Sequence, residues 1–448
     1  MSGATLQVIR LSRAAAASVP AATAAMARRC ILDWFGLAIA GAGEPVCRRL
    51  RALALAEGAR PVATVVGGGQ GPGEGPGEGA SARQAVFLNA VAGHALDYDD
   101  VSLAMHVHPT TVILPPLLAL AEQRALGGGA VLAAFVAGYE AAGMIGRWLG
   151  AGPYDRGFHM TGTLGALGAA AAAAHLLGLD EEATARAYGL AASQAAGLKA
   201  QFGTMAKPIH AGRAAEAGLC AALWAEAGIS SRTDILEAPQ GYAATQSAIP
   251  AGPITWDGHE LDRNSFKYHA SCFGTHGAIE AIAALRAQGV VPGDVRQVRL
   301  TVDAGADRMC NIATPRTGTE AKFSLRFVAA LALLGADTGM PGLFTDAVTA
   351  RPDLIALRDR VTVAFGPPDW PPDLTVAEVT LADGSRREAC CDTSLIGADD
   401  DRLRAKFLHL ADTLPAGHAG RLADQVAGIE AVTDVRALCR LATRVGEG

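Results

Sequence analysis

The sequence predicts a mainly α fold, in which a large all-helical domain is interrupted by a smaller α+β domain before the C-terminal helices. The chain has 448 residues. A domain with a single hydrophobic core is usually smaller than this, so two domains are expected. Half of the residues are hydrophobic but only 5% are aromatic, so Ala, Leu and Val fill the core, which suits closely packed helices. Patterns typical of strands occur only after Trp256. We assign residues 1–258 and 396–448 to the helical domain and residues 259–395 to the α+β domain.

Helical signals fill the first part of the chain. Residues 12–57 predict two helices, and Cys30–Gly41 is apolar on nearly every face, so it is expected to be buried. From residue 81 to about residue 228 one helix follows another, separated by Gly and Pro residues such as the pair Pro115-Pro116.

Strand signals begin later in the chain. Val295–Gly305 and Arg360–Phe365 are short β-rich runs, and Leu374–Cys391 carries Asp383-Gly384 between two extended arms, which predicts a hairpin. Ala321–Leu334 has helical spacing between the first two strands. Beyond residue 402 the apolar spacing is helical again.

Composition and charge exclude several classes of function. The net charge is −6 and no Lys/Arg-rich run occurs, so nucleic acid is not an expected partner. The eight cysteines form no CxxC pair, which excludes a zinc ribbon and the common iron–sulfur ligand runs. Without a disulfide framework or a signal peptide, the protein is expected to be cytoplasmic. Gly157–Leu179 lacks Asp, Glu, Lys and Arg, but its polar start and two histidines favour a buried helix over a membrane span.

The segment His94–Pro109, HALDYDDVSLAMHVHP, concentrates three acids and three histidines. On a continued helix, His94, Asp97 and Tyr98 would share one face and Asp99 would point elsewhere. Crowded, buried carboxylates beside imidazoles raise the pKa of at least one acid and favour acid–base catalysis.

Two other interpretations of this segment stay open. The same residue types bind metals, so Asp97, Asp100, His106 and His108 would serve a metal-dependent hydrolase. Ordinary capping and core polarity are the third interpretation.

Two segments look suited to anions. In Gly157–Thr163, GFHMTGT, either Thr161 or Thr163 would cap the following helix, whose free N–H groups would hold an anion near His159; an ordinary helix cap is the alternative. In Lys207–Arg213, KPIHAGR, the proline suits the first helical turn and places Lys207 at its positive end. His210 and Arg213 would share one face there. A substrate carboxylate, or a phosphate, would balance the lysine; a plain surface lysine is the alternative.

The segment Lys267–His276, KYHASCFGTH, lies where the two predicted domains meet, a common location for clefts. It offers Lys267, His269, Cys272, Thr275 and His276. A cysteine beside two histidines would also fit a nucleophile, but no oxyanion loop or triad order accompanies it.

These motifs, in this order, resemble the MmgE/PrpD family, whose activities include 2-methylcitrate dehydratase, cis-aconitate decarboxylase and iminodisuccinate epimerase. The resemblance implies an all-helical domain with a smaller α+β lid domain, a homodimer, and chemistry without a metal or another cofactor. The matching pieces span nearly the whole chain and are HALDYDD…HP, GFHMTGTLGALGAAAAAAHLLGLD, FGTMAKPIHAGRAAEAG, KYHASCFGTH and AKFSLRFVAALALL.

The resemblance also places residues in an active site. The expected catalytic residues are Asp97, His108, His159, Lys207 and Lys267. The expected substrate-binding residues are Tyr98, Thr161, His210, Cys272 and His276. In this scheme Lys207 and Lys267 neutralise two substrate carboxylates, and His159 moves a proton at carbon. Asp97 orients a histidine or shuttles a proton. His108 protonates the departing hydroxide.

We therefore predict a cofactor-independent lyase that removes water from a small hydroxy-di- or tricarboxylate. The alternatives within the family are decarboxylation of a cis-aconitate-like acid and epimerisation of an iminodisuccinate-like diacid. Val101 and Cys272 stand where decarboxylase-like members have Thr and His, which disfavours decarboxylation. A metal-dependent hydrolase and a non-enzymatic helical scaffold are the hypotheses from other classes.

Overall fold

Two units divide the chain, and the structure, a computed structural model, describes residues 3–69, 79–246 and 252–444. Unit 1 comprises Met1–Ala95, Asp99–Asn264 and Asp399–Gly448. Unit 2 comprises Leu96–Tyr98 and Ser265–Ala398. Unit 1 is helical and unit 2 combines helices with a small sheet, which confirms the predicted fold class.

Unit 1 begins with a long succession of helices and one short strand pair. The first helices and strands are α1 (Ala4–Ala17), α2 (Ala21–Gly41), α3 (Pro45–Glu57), β1 (Ala63–Thr64), β2 (Gly79–Ala80), α4 (Ala82–Ala95), α5 (Thr110–Arg124), α6 (Gly128–Leu149), α7 (Gly152–Asp155), α8 (Met160–Leu176), α9 (Glu181–Ala192), α10 (Ala206–Glu226) and α11 (Tyr242–Gln246).

Residues 12–57 hold the end of α1 and all of α2 and α3, so three helices lie in the range where two were predicted. The additional helix is α1, which begins at Ala4, before that range. The prediction of an all-helical domain also missed β1 and β2, two-residue strands that pair antiparallel. Strands this short carry no periodic signal in a sequence. The apolar segment Cys30–Gly41 is buried almost throughout, as predicted.

Helix α5 runs through Pro115 and Pro116, where the sequence predicted a break. Each proline removes one helical hydrogen bond, and an internal proline costs about 3 kcal/mol or more. Every residue of α5 from Thr110 to Glu122 is buried. Packing on all sides therefore outweighs the cost of the two prolines.

Small residues bring α8 and α10 close together in the core of unit 1. A Cβ atom on Gly218 of α10 would lie 2.4 Å from Cβ of Ala169 and 2.7 Å from the backbone nitrogen of Ala170 in α8.

The charge-free segment predicted as a buried helix is α8, and Met160–Ala174 is buried. Within the described residues, α6 has the length and hydropathy of a membrane span, and 83% of its most apolar window is buried in the protein.

Unit 2 packs short helices with a four-stranded sheet. Its elements are α12 (His276–Ala287), β3 (Val295–Val302), α13 (Ala306–Cys310), α14 (Gly318–Ala321), α15 (Leu325–Leu334), α16 (Asp346–Thr349), α17 (Pro352–Arg358), β4 (Val361–Phe365), β5 (Leu374–Leu381) and β6 (Arg386–Asp392).

The strand order is β4-β3-β5-β6, with β3 and β4 parallel and the other pairs antiparallel. The predicted hairpin is β5–β6, and Gly384 turns the chain with a φ of +84°. The predicted helix Ala321–Leu334 is broken before α15, because the Ser324 hydroxyl accepts a hydrogen bond from the backbone N–H of Phe327 and caps a new helix.

The chain returns to unit 1 in three final helices, α18 (Asp400–Leu410), α19 (His418–Ala427) and α20 (Val435–Leu441). Lys406 of α18 forms a buried ion pair with Asp33 of α2, at 2.7 Å between Nζ and Oδ1. The first and last parts of unit 1 therefore share one core.

Candidate active site

Helix α4 ends at Ala95, so the predicted helical face that joins His94, Asp97 and Tyr98 does not form. Asp97 adopts the left-handed conformation, with a φ of +53°, which a helix cannot contain. The backbone carbonyls beyond the helix accept hydrogen bonds within unit 2: Nζ of Lys322 donates to the carbonyl of residue 96 at 2.7 Å, and Nζ of Lys267 to that of Asp97 at 2.7 Å.

Asp97 and Lys267 form a buried ion pair in unit 2, with 3.0 Å between Oδ1 and Nζ. Beside them, the hydroxyl of Tyr98 donates to the backbone carbonyl of Tyr268 at 3.1 Å. The ammonium group predicted to hold a substrate carboxylate thus already faces a carboxylate. A substrate at Lys267 would have to compete with Asp97.

Asp99 joins two histidines in unit 1, where the sequence predicted that it would point elsewhere. Its Oδ2 lies 2.8 Å from Nδ1 of His94, and its Oδ1 lies 3.3 Å from Nδ1 of His108. The side chains of His94 and Asp99 are buried, whereas His108 keeps 13% of its side chain exposed. A carboxylate at Nδ1 fixes the tautomer of an imidazole and stabilises its protonated form.

The donor set predicted for a metal hydrolase is not assembled as proposed. Asp100 is buried and accepts a hydrogen bond from the Thr110 hydroxyl at 2.6 Å. Burial, with smaller contributions from nearby carboxylates, raises the pKa of Asp100 to about 8. His106 has a left-handed backbone, and its ring stacks on Tyr154 with 4.5 Å between centroids. His108 instead shares Asp99.

A different set of side chains in unit 1 has the residue types of a metal site. One ligand atom each from His94, Asp99 and His108 lies within 4.8 Å of the others. The 2.8 Å contact between Asp99 and His94 is a carboxylate–imidazole hydrogen bond, so the cluster is compatible with acid–base chemistry as well as with metal binding.

His159 precedes α8 as its N-cap residue, and its ring faces His210 of α10. The two Nδ1 atoms lie 3.0 Å apart. The ring of His159 also stacks near that of His94, with 5.7 Å between centroids. Burial lowers the pKa of His159 well below its usual value, and charges on His94, Lys207, His108 and His210 lower it further. His159 is therefore a neutral base at neutral pH.

The predicted threonine caps of α8 do not form, because no side chain caps this helix. The Thr161 hydroxyl instead accepts a hydrogen bond from the backbone N–H of His108 at 3.1 Å. The Thr163 hydroxyl donates to the Met160 sulfur at 3.7 Å. Thr161 thus holds the backbone beside His108.

Lys207 lies in the first turn of α10 with Pro208, as the sequence predicted. It is buried, and its Nζ lies 5.1 Å from the ring centroid of Phe202, which also packs edge-to-face on His159. Its charge lowers the pKa of His159 and, after burial, contributes to lowering that of His210. A buried cation therefore lies close to the neutral base.

Arg213 does not join His210 as the sequence predicted. It pairs with Glu216 at 2.7 Å, and 70% of its side chain is exposed. The helical face that carries His210 is directed toward His159 instead.

The remaining predicted residues, Cys272 and His276, are buried in unit 2. The backbone N–H of Cys272 donates to the carbonyl of Lys322 at 3.0 Å, and a hydrogen bond to Cys272, with burial, raises the pKa of Cys310. His276 begins α12, and its ring packs 5.1 Å from that of Phe273. Their assignment to substrate binding remains a prediction.

Residues 11–250 match the MmgE/PrpD N-terminal domain, and residues 269–429 match the MmgE/PrpD C-terminal domain. The chain belongs to the MmgE/PrpD family. Among its relatives, cis-aconitate decarboxylase of Mus musculus is 29% identical over 377 residues, which cover 80% of this chain and 75% of the relative. Cis-aconitate decarboxylase of Homo sapiens is 30% identical over 323 residues, 67% of this chain and 66% of the relative. This membership supports a lyase-type function without distinguishing a dehydratase from a decarboxylase.

In this MmgE/PrpD chain, reasoning from the sequence missed the pairing of His94 with Asp99. Both residues stand in the motif that the sequence singled out, but a helix continued past Ala95 directed Asp99 away from the histidines. No local pattern in the sequence marks the end of α4; beyond it, the backbone carbonyls of residues 96 and 97 accept hydrogen bonds from Lys322 and Lys267, which are distant in the sequence.

Proposed function

We propose that this protein is a lyase that removes water from a small hydroxy-di- or tricarboxylate. The observation that carries the proposal is a buried, neutral imidazole, His159, beside a buried ammonium group, Lys207. A base next to a cation is what proton removal from a carbon beside a carboxylate requires.

In the proposed reaction, His159 takes the proton from the carbon next to a substrate carboxylate. Its lowered pKa keeps the ring neutral, so it can accept that proton near neutral pH. The electron pair left on carbon passes into the carboxylate, and the positive charge of Lys207 stabilises the enediolate that forms. The polar first turn of α10 adds favourable backbone dipoles.

His108 is the proposed acid for the departing hydroxide. Nδ1 of His108 lies 3.0 Å from the backbone carbonyl of Asp100 and 3.3 Å from Oδ1 of Asp99, so Nδ1 carries a hydrogen. The nearby charge of Asp99 favours the protonated ring, whose Nε2–H can then be donated. When the carbon–oxygen bond breaks, this proton converts hydroxide to water. His159 then holds the proton from carbon, and both histidines must be reset before the next turnover.

The two ion-pair partners in unit 2 are also part of the proposal. Lys267 forms an ion pair with Asp97, whose backbone is left-handed. We assign Lys267 a positioning role toward Asp97.

Decarboxylation of a cis-aconitate-like acid is the second candidate. The decarboxylase names of the mouse and human relatives favour it. Against it, Cys272 occupies the position at which the resemblance places a decarboxylase histidine, and its thiol hydrogen-bonds with Cys310.

Incubation of the purified protein with citrate, 2-methylcitrate, cis-aconitate and iminodisuccinate in D₂O, followed by NMR, tests the proposal. A new alkene from a hydroxy acid supports dehydration. Release of CO₂ from cis-aconitate contradicts dehydration and supports the second candidate. Deuterium exchange at a stereocentre of iminodisuccinate, without net loss of substrate, would instead show an epimerase.

We also propose that the protein is a homodimer, which rests on the family resemblance, and that it is cytoplasmic, which rests on its scattered cysteines. Size-exclusion chromatography with light scattering tests the assembly. A mass of twice 45.7 kDa supports the dimer, and a mass of 45.7 kDa contradicts it.

A further inference from the structure

We propose that His159 and His210 form a proton relay that connects the buried reaction site with solvent. This inference rests on the proposed function, since every turnover that moves a proton at carbon must return the base to its starting state. It gives His210 a role in proton transfer, where the sequence predicted substrate binding.

The geometry of the pair supports a relay. The Nδ1 atoms of His159 and His210 lie 3.0 Å apart, which is hydrogen-bonding distance. Only one of two facing imidazole nitrogens can carry the hydrogen, so the other accepts it. His159 is 2% exposed, whereas His210 on α10 is partly exposed. The pair thus spans from the buried base toward the surface.

The backbone behind the two rings is built to hold them together. Gly197 has a φ of +148°, which L side chains rarely adopt. A Cβ atom there would lie 3.3 Å from Cγ of His210 and 3.4 Å from Cβ of His159. The backbone N–H of His159 also donates to the carbonyl of Gly197 at 3.0 Å. On the other side, a Cβ atom on Gly162 would lie 3.3 Å from Cβ of His210.

The charges around the pair favour transfer outward. Lys207, His94 and His108 face His159, and their charges oppose a second positive charge on its ring. Burial, His94 and Lys207 likewise lower the pKa of His210, so the neutral form of both rings is favoured at neutral pH.

The relay has three balanced steps. The substrate C–H bond breaks and an N–H bond forms at Nε2 of His159, because Nδ1 is already engaged by His210. The Nδ1–H bond of His159 then breaks as an N–H bond forms at Nδ1 of His210. Finally, Nε2–H of His210 passes its proton to water. These steps leave each ring as its other neutral tautomer. In the emptied site the reverse sequence restores both rings: water protonates Nε2 of His210, its Nδ1–H returns to Nδ1 of His159, and Nε2–H of His159 passes through water to Nε2 of His108, which had given its proton to hydroxide.

The test compares His210→Ala and His210→Asn with His175→Ala as a matched control. His175 is a partly buried histidine in the last turn of α8 and takes no part in the site. Citrate and cis-aconitate serve as probes, and kcat is measured at rising concentrations of imidazole buffer.

We expect His210→Ala to lower kcat about 100-fold, the lower end of the range for a lost acid–base group, with little change in KM. Added imidazole should restore kcat in proportion to its concentration. His210→Asn keeps a hydrogen-bonding group near Nδ1 but cannot relay a proton, so it should stay slow. His175→Ala should resemble the wild type. A rise in KM with no rescue by imidazole would overturn the relay and return His210 to substrate binding.

A second measurement separates this inference from the proposed function. If the wild type converts none of the probes, the proposed function fails, and the relay is then tested by NMR of protein labelled with [¹⁵N]histidine. A scalar coupling between the Nδ1 nuclei of His159 and His210, lost in His210→Ala, supports the shared proton. Absence of that coupling in the wild type overturns it.

Discussion

At the scale of single residues, Asp99 organises the acid–base groups of unit 1. Its two carboxylate oxygens face Nδ1 of His94 and Nδ1 of His108, so one buried charge serves two imidazoles. A shared carboxylate both orients the rings and stabilises a proton on either of them. The proposed role of His108 as an acid therefore depends on Asp99, a residue for which the sequence predicted no catalytic or binding role.

Asp99→Asn should lower kcat about 10²–10⁴-fold, because the amide cannot stabilise a protonated His108 and permits the wrong tautomer. Steady-state kinetics measures the effect, and circular dichroism checks the fold. Asp424→Asn, at an exposed aspartate of unit 1, is the matched control and should leave kcat unchanged. An unchanged kcat in Asp99→Asn would remove Asp99 from the mechanism.

Asp100 makes stability depend on pH. Its pKa is about 8 in the folded protein and about 4 when unfolded, so between these values the folded state binds more protons. The free energy of unfolding contributed by Asp100 is therefore fully present below about pH 4 and is lost as pH rises to about 8. The slope is at most about 1.4 kcal/mol per pH unit.

Asp100→Asn should abolish this decline, because an amide does not ionise and can still accept the hydrogen bond from Thr110. Urea unfolding from about pH 5 to about pH 8 gives both slopes. The variant should gain stability relative to the wild type as pH rises. Parallel curves for the two proteins would show that Asp100 ionises normally.

At the scale of secondary structure, the contact between α8 and α10 aligns the proposed base with the cation. His159 stands at the N-terminus of α8, and Lys207 and His210 stand in the first turns of α10. The helices approach closely because Gly218 faces Ala169 and Ala170 with no side chain between the backbones. The low aromatic and high alanine content of the sequence is what allows such packing.

Gly218→Ala should lower the free energy of unfolding by about 1–3 kcal/mol, because the new methyl group meets the backbone of α8 and forces a shift. Gly420→Ala in α19 is the control, since no atom lies within 4 Å of its added Cβ. It should raise stability by about 0.5–1 kcal/mol through helix propensity. Equal effects in urea unfolding would contradict close packing of α8 on α10.

At the scale of the whole molecule, a ligand that binds only the folded state raises its stability. A tricarboxylate at 100 times its Kd adds about 2.7 kcal/mol to the free energy of unfolding. Citrate should therefore raise Tm in the wild type and much less in Lys207→Ala. Arg213→Ala is the matched control on the same helix, because this arginine is exposed and pairs with Glu216. An equal rise in Tm in Lys207→Ala would exclude Lys207 as the anion site.

Metal content is also a property of the whole molecule that tests the mechanism. The proposed chemistry uses side chains alone, so elemental analysis should find no stoichiometric zinc, iron or manganese, and chelation should leave kcat unchanged. A stoichiometric metal lost together with activity would assign His94, Asp99 and His108 as its ligands instead.

The sequence by itself determined the features that depend on local pattern. A segment free of charged residues located the buried helix α8, the alternating runs located β3 and β5, and Pro208 placed Lys207 in the first turn of α10. These signals are local because helix and strand periods, and the fixed φ of proline, act within a few residues.

Only the tertiary structure decided how the Asp/His motif is used. Helix α4 ends at Ala95, and the chain beyond it is held by Lys267 and Lys322, which lie 170 and 226 residues away from their hydrogen-bond partners. That ending turns Asp99 toward its two histidines. Pairings over such distances leave no periodic signal in the sequence, because they depend on how separate elements pack.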